Sequence, residues 1–172
     1  MATIGHAVLP LIAGFQLKLS KLALSAMLFF AFLPDADILL SFALTGSPFA
    51  MHRGFTHSLL FACIPLALFL LLRRDFLFWG FVGALTHPLI DMLDAHGTPL
   101  LWPFSAQNFS FELWKSTSVN DITLAGILAP DTFITDKLLL AILIAYLAYY
   151  FGRRCYDSLK QGRRKPAKAR RD

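Results

Sequence analysis

The chain has 172 residues, 56% of them hydrophobic, 17 of them phenylalanine, with a mean hydropathy of +0.58. One domain of that length cannot bury so much apolar surface against itself, so lipid is the expected solvent and an ordinary soluble fold is disfavoured. The net charge of +5 hides an asymmetry: residues 1–152 carry seven Lys/Arg against nine Asp/Glu, and residues 153–172 carry nine Lys/Arg against two Asp.

Five apolar segments are predicted in chain order. The first covers 4–17, and His6 interrupts its apolar start. No cleavable signal peptide is expected there, because a basic n-region is missing. The second covers 22–44 and is broken by Leu33-Pro34-Asp35-Ala36-Asp37. Residues two apart diverge by about 200° on a regular helix. Asp35 and Asp37 therefore meet one ion only if Pro34 makes the backbone irregular. The competing reading is an interfacial turn with solvated aspartates.

Next comes His52-Arg53-Gly54-Phe55-Thr56-His57-Ser58. Gly54 allows a turn that brings the two histidines together, and Thr56 is a candidate N-cap for the third segment, 58–72. Arg53 suits a phosphate or a developing oxyanion; an Arg bound to lipid headgroups is the plainer reading. The fourth segment, 76–93, holds His87 and Asp91. At i and i+4 they share a helical face and could bind one ion, although a buried His–Asp hydrogen bond would use the same spacing. Asp94 follows near that face, and His96 is expected to be exposed.

Residues 94–136 form a long excursion rich in aromatic residues, expected to cap the site, with a weak strand-like alternation at 109–114. The fifth segment is 138–151. The basic tail after it reads as an anchor at anionic lipid headgroups, and nucleic acid is disfavoured. With that tail in the cytoplasm, thirteen of sixteen Lys/Arg fall inside, the exceptions being Arg53, Lys115 and Lys137. All the candidate ligands then move to the outer half of the membrane. The two cysteines, Cys63 and Cys155, form neither a disulfide framework nor a zinc motif.

The expected fold is all-α: a polytopic membrane domain over 1–152 with four to five embedded helices, followed by the tail. Ionisable groups at membrane depth are expensive and mark function. His6, Asp35, Asp37, His52, His57, His87 and Asp91 are the donor types that bind a divalent metal. Seven candidates exceed one four-coordinate zinc, so one or two ions are expected, Zn2+ first, with Mn2+ or Mg2+ as alternatives.

These motifs together resemble the YdjM-like family of bacterial inner-membrane, metal-dependent hydrolases. The resemblance rests on Gly5-His6, Leu33-Pro34-Asp35-x-Asp37, the 52–58 motif, His87-x-x-x-Asp91-Met-Leu and Gly97-x-Pro99-Leu-Leu-Trp102-Pro103. It covers residues 5–105. It implies that the seven residues are metal-site positions. Ile38 stands where family members often carry His. The motif logic is also similar to that of zinc-dependent phospholipases C, which implies hydrolysis of a phosphoester in a lipid or lipid-linked substrate. In that reading metal-activated water attacks, Asp91 serves the reaction as well as the metal, Asp37 or Asp94 acts as general base, and Arg53 stabilises negative charge. A metal transporter or sensor, and a non-catalytic scaffold using the basic tail, are the competing functions.

Overall fold

The computed structural model describes residues 4–47, 49–114 and 133–164. The expectations for Lys115, for the middle of the 94–136 excursion and for the end of the tail lie outside these residues.

Every regular element among the described residues is helical. A 3-10 turn over Ile4–Ala7 leads into α1 (Val8–Leu17), and α2 (Lys21–Phe32) returns beside it. Ser20 starts α2 by accepting a hydrogen bond from the Ala23 amide. The expected break at 33–37 is smaller than the sequence suggested. Pro34 tightens the chain into a 3-10 turn over Leu33–Ala36, and α3 (Asp37–Thr45) continues the same rod until Gly46 ends it in a left-handed conformation. A third 3-10 turn over Phe55–His57 precedes α4 (Leu59–Leu72), whose partner is α5 (Asp75–Asp91). The N-cap of α4 is Ser58, which accepts from the Phe61 amide, and not Thr56. The last helix, α6, runs over Ile134–Arg164. It passes through position 152 without a break, so the basic tail begins as a helical extension of the apolar segment. The strand-like alternation at 109–114 produces only isolated bridges, Thr98 to Phe109 and Asp94 to Trp114.

Lys21–Thr45 and Ile134–Lys160 are long and apolar enough to cross a membrane; Ile4–Leu17 and Leu59–Leu72 are shorter. Of the four to five embedded helices expected, two among the described residues are thus long enough to span. A helix such as α4 reaches only about 21 Å at 1.5 Å per residue, against a hydrocarbon core of about 30 Å. Large apolar side chains nevertheless face outward on most helices, among them Leu22, Leu39, Leu71 and Ile144, each at least 60% exposed. Lipid matches such a surface and water does not.

The chain's internal contacts therefore rest on close backbone approach more than on a large core. α2 and α5 form the main crossing. Met27 is fully buried there. A Cβ on Gly83 would collide with the Met27 carbonyl, and one on Gly80 would meet the Phe30 ring at 2.6 Å. A small cluster of Val8, Ile90 and Leu139 ties α1, α5 and α6 together. Helices of this kind associate through small residues, because apolar burial gains little in lipid.

The crossing sets a testable demand. Gly83→Val should separate α2 from α5 and lower stability by about 1–3 kcal/mol or more. Thermal melting in detergent would read this as a fall in Tm, with Gly152→Ala, whose Cβ would meet nothing, as the neutral control.

Candidate metal centre

The α2–α5 crossing brings together one end of four elements. His6 comes from the first 3-10 turn, Asp35 from the turn after α2, His57 from the turn before α4, and His87 and Asp91 from the last turns of α5. All three imidazoles are completely buried; Asp91 is buried, and the Asp35 side chain is 18% exposed. Asp35 therefore marks the open side of the cluster.

The spacing separates ligand geometry from hydrogen bonding. His57 Nε2 lies 3.5 Å from Asp35 Oδ1 and 3.5 Å from Asp91 Oδ2. His87 Nε2 lies 3.6 and 3.5 Å from the same two oxygens. These separations are too long for hydrogen bonds. Ligands held about 2.1 Å from a tetrahedral metal lie about 3.4 Å apart. The other carboxylate oxygens turn toward His6: its Nε2 is 3.7 Å from Asp91 Oδ1 and 3.9 Å from Asp35 Oδ2. Asp35 and Asp91 thus each divide their two oxygens between the His57/His87 pair and His6. The rings of His6 and His87 stack at 3.8 Å.

Nε2 of His6, His57 and His87 and Oδ2 of Asp91 are buried without a hydrogen-bond partner. Such atoms are costly unless a further group satisfies them. At His87 and His57 a bond to Nδ1 leaves the Nε2 lone pair pointing inward, whereas Nδ1 of His6 is buried without a partner as well. His87 Nδ1–H donates to the Ala31 carbonyl at 2.7 Å. His57 Nδ1 lies 3.0 Å from the Thr56 hydroxyl, which donates to Asp37 at 2.8 Å. A second hydrogen bond that orients a ligating imidazole is a standard feature of metal sites. Burial alone would keep His57 neutral, but the carboxylates of Asp35, Asp37 and Asp91 close around it outweigh burial and raise its pKa to about 9. An imidazole so surrounded takes up a cation readily, whether a proton or a metal ion. Three overlapping groups could hold one: His6, His87 and Asp91; Asp35, His57 and His87; and Asp37, His52 and His57.

All seven residues read from the sequence meet in one cluster, in two tiers. Asp37 and His52 stand behind His57. His52 Nδ1 bonds Asp37 Oδ1 at 2.7 Å, and the Arg53 amide donates to Asp37 Oδ2 at 3.2 Å. Asp37 consequently accepts from three partners. Arg53, in a left-handed conformation, is held by the site itself: Nη2 reaches Asp91 Oδ1 at 3.3 Å and Nη1 donates to the Gly97 carbonyl at 2.6 Å. Asp94 is buried and bonds exposed His96 at 2.6 Å, on the loop that follows α5. That loop is fastened over the turn before α4, where Thr98 donates to the His57 carbonyl and the Leu59 amide donates to Leu100.

Three contributors escaped the sequence reading. The Ala31 carbonyl carries no side-chain signal. Thr56 was legible as a polar residue beside His57, but as a cap. Asp136 accepts from the Gly5 amide and fixes the turn that carries His6, across 131 positions of sequence.

Fold and site together define a helical membrane protein whose short helices enclose a buried His/Asp cluster. The profile of the YdjM inner membrane protein family matches residues 1–156, and the chain belongs to that family. It is 37% identical to the inner membrane protein YbcI of Escherichia coli over 142 residues, 74% of this chain and 81% of that one. Inner membrane protein YdjM of the same organism is 48% identical over 59 residues, 30% of each chain. The uncharacterized protein YfhP of Bacillus subtilis is 32% identical over 110 residues, 59% of this chain and 34% of that one. No solved structure matches.

A cluster of this composition should be stabilised by the ion it fits. Saturating Zn2+ or Mn2+ at about a thousand times Kd should add about 4 kcal/mol, seen as a rise in Tm that a chelator reverses. The rise should vanish in His57→Ala and His87→Ala.

Proposed function

We propose that this chain is a bacterial inner-membrane, metal-dependent hydrolase that cleaves a phosphoester of a lipid or lipid-linked substrate. The observation that carries the reading is the set of inward-facing, unpartnered Nε2 atoms of His6, His57 and His87 around two carboxylates whose oxygens are divided between them. Family membership and the outward apolar helix surfaces support the membrane setting. The shorter helices are embedded as well, packed against the two longer ones, and the site opens at the outer face.

His57 and His87 with Asp35 Oδ1 and Asp91 Oδ2 would hold one divalent ion, and His6 with the opposite carboxylate oxygens a second, zinc being the ion that suits this nitrogen and oxygen set. Metal in such a site supplies an activated water and stabilises negative charge on a phosphoryl oxygen. The protein's own residues do the rest. Asp37, occupied by three donors, orients His57 through Thr56; this position suits it better to fixing the ligand than to taking a proton. Arg53 holds Asp91 in place and closes the site against the Gly97 carbonyl. Asp35, the most exposed ligand, borders the side by which a headgroup enters. Phe55 and Trp102, 5.4 Å apart, form an apolar edge near that opening, suited to the glycerol and upper acyl region of a lipid.

The test is metal content and turnover of the purified protein in detergent. Wild type should carry up to two equivalents of metal and release headgroup phosphate or phosphoester from phospholipid micelles. Asp91→Asn should lose metal and nearly all turnover. Asp37→Asn should keep the metal stoichiometry while affinity falls about 10–100-fold. Stoichiometric metal with no phosphoesterase or esterase activity would replace the hydrolase by a metal-binding or metal-transporting protein, and proteoliposome uptake lost in His87→Ala would establish the latter.

A further inference from the structure

The helix ends opposite the His/Asp cluster enclose a different kind of site. A cavity of ≈ 600 Å³ lies between the α1–α2 and α4–α5 turns, lined by Lys18, Arg73 and Arg74 on its polar side and Leu22, Phe76 and Trp79 on its apolar side. Asp75 is the one carboxylate in the lining, which leaves three cations against one anion. None of the three cations forms an ion pair among the described residues. A second cavity of ≈ 460 Å³ shares Lys18 and is completed by Tyr150 and Arg154 of α6.

The backbone adds an independent observation. Lys18 ends α1 at φ 52° and Arg73 ends α4 at φ 51°, both left-handed. Glycine is the usual residue at that position, and any other residue is strained there by about 1 kcal/mol. The chain places a cation in this strained position twice, at equivalent ends of two helical hairpins, and both side chains line the same cavity. A cation at a helix C-terminus complements the dipole there, but glycine would end either helix without the strain. α5 also begins at this cavity with no side chain capping its first amides, and uncapped amides at a helix start favour an anion.

We propose that this cavity binds the phosphate of an anionic membrane phospholipid, at the end of the bundle opposite the metal centre. Lys18, Arg73 and Arg74 contact the headgroup, and Leu22, Phe76 and Trp79 receive the glycerol and first acyl carbons. A lipid is favoured over free phosphate because the cavity has an apolar wall of Leu22, Phe76 and Trp79, and exposed Leu17, Leu72 and Phe78 stand next in sequence to its lining residues, a surface that suits an acyl chain and that an inorganic ion cannot use. This site is independent of the hydrolase reading.

Lys18→Gly and Arg73→Gly test the proposal without threatening the fold, since glycine relieves the left-handed strain. The full chain, purified in detergent, is offered phosphatidylglycerol against phosphatidylcholine and examined by native mass spectrometry. Wild type should retain phosphatidylglycerol selectively. The double variant should lose it at least about tenfold, with Tm unchanged or raised. Arg170→Gln/Arg171→Gln, which removes the same charge from the C-terminal end, should retain it. Equal retention of phosphatidylcholine, wild-type retention by the glycine variant, or equal loss in the C-terminal control would overturn the site. Full displacement by millimolar inorganic phosphate would make it a soluble-anion site and overturn the lipid assignment.

Discussion

Burying three imidazoles and two carboxylates at the junction of short apolar helices is the constraint on which the rest of the structure depends. Each group would be solvated in water; here each has an atom facing a shared centre at 3.5–3.9 Å from its neighbours. Unpaired ionisable groups in a low-dielectric interior cost several kcal/mol each, and the lipid around the bundle offers no water to offset them. A cation at the centre would satisfy these groups together. The helix packing serves it: the glycine-mediated α2–α5 crossing sets the distance between the Asp35 turn and the His87–Asp91 turn, and Asp136 of α6 holds the His6 turn against both.

Much of this was legible in the sequence because ligand chemistry is local. An i,i+4 pair such as His87 and Asp91 lies on one face of any helix, and Pro34 next to two aspartates signals irregular backbone. Other features depended on information the sequence does not carry linearly. Hydropathy marks segment 22–44 as interrupted, yet a 3-10 turn absorbs Pro34 without breaking the rod. The division of the seven residues into five that face the centre and two that stand behind His57 follows from side-chain bonds. Asp37 and Asp35 are indistinguishable by residue type and spacing. Thr56 capped a helix as plausibly as it oriented a histidine, until Ser58 proved to hold the cap. Arg53 read as a substrate group, whereas its guanidinium is engaged by Asp91 and Gly97.

The two ends of the bundle carry opposite chemistry, and the hairpin topology is the reason. Each turn between α1 and α2, or between α4 and α5, falls at the end that carries Lys18, Lys21, Arg73 and Arg74. Every ligand falls at the other end, where the chain enters or leaves a hairpin. Charge patterning and ligand spacing are separate properties of the sequence, and the helices convert both into a separation along one axis.

Helix dipoles sharpen the case for a cation at the ligand end. Asp91 is the last residue of α5, and Asp35 lies in the turn that follows α2. Asp91 therefore sits at a helix C-terminus, where the partial charge is negative and an anion is disfavoured by about 0.3–1 kcal/mol, whereas Asp35 lies within the continuous α2–α3 rod. Asp37, in the same rod, is the aspartate already saturated by hydrogen bonds. A metal ion would satisfy all five groups at once, because it would supply positive charge to the carboxylates and accept the imidazole lone pairs.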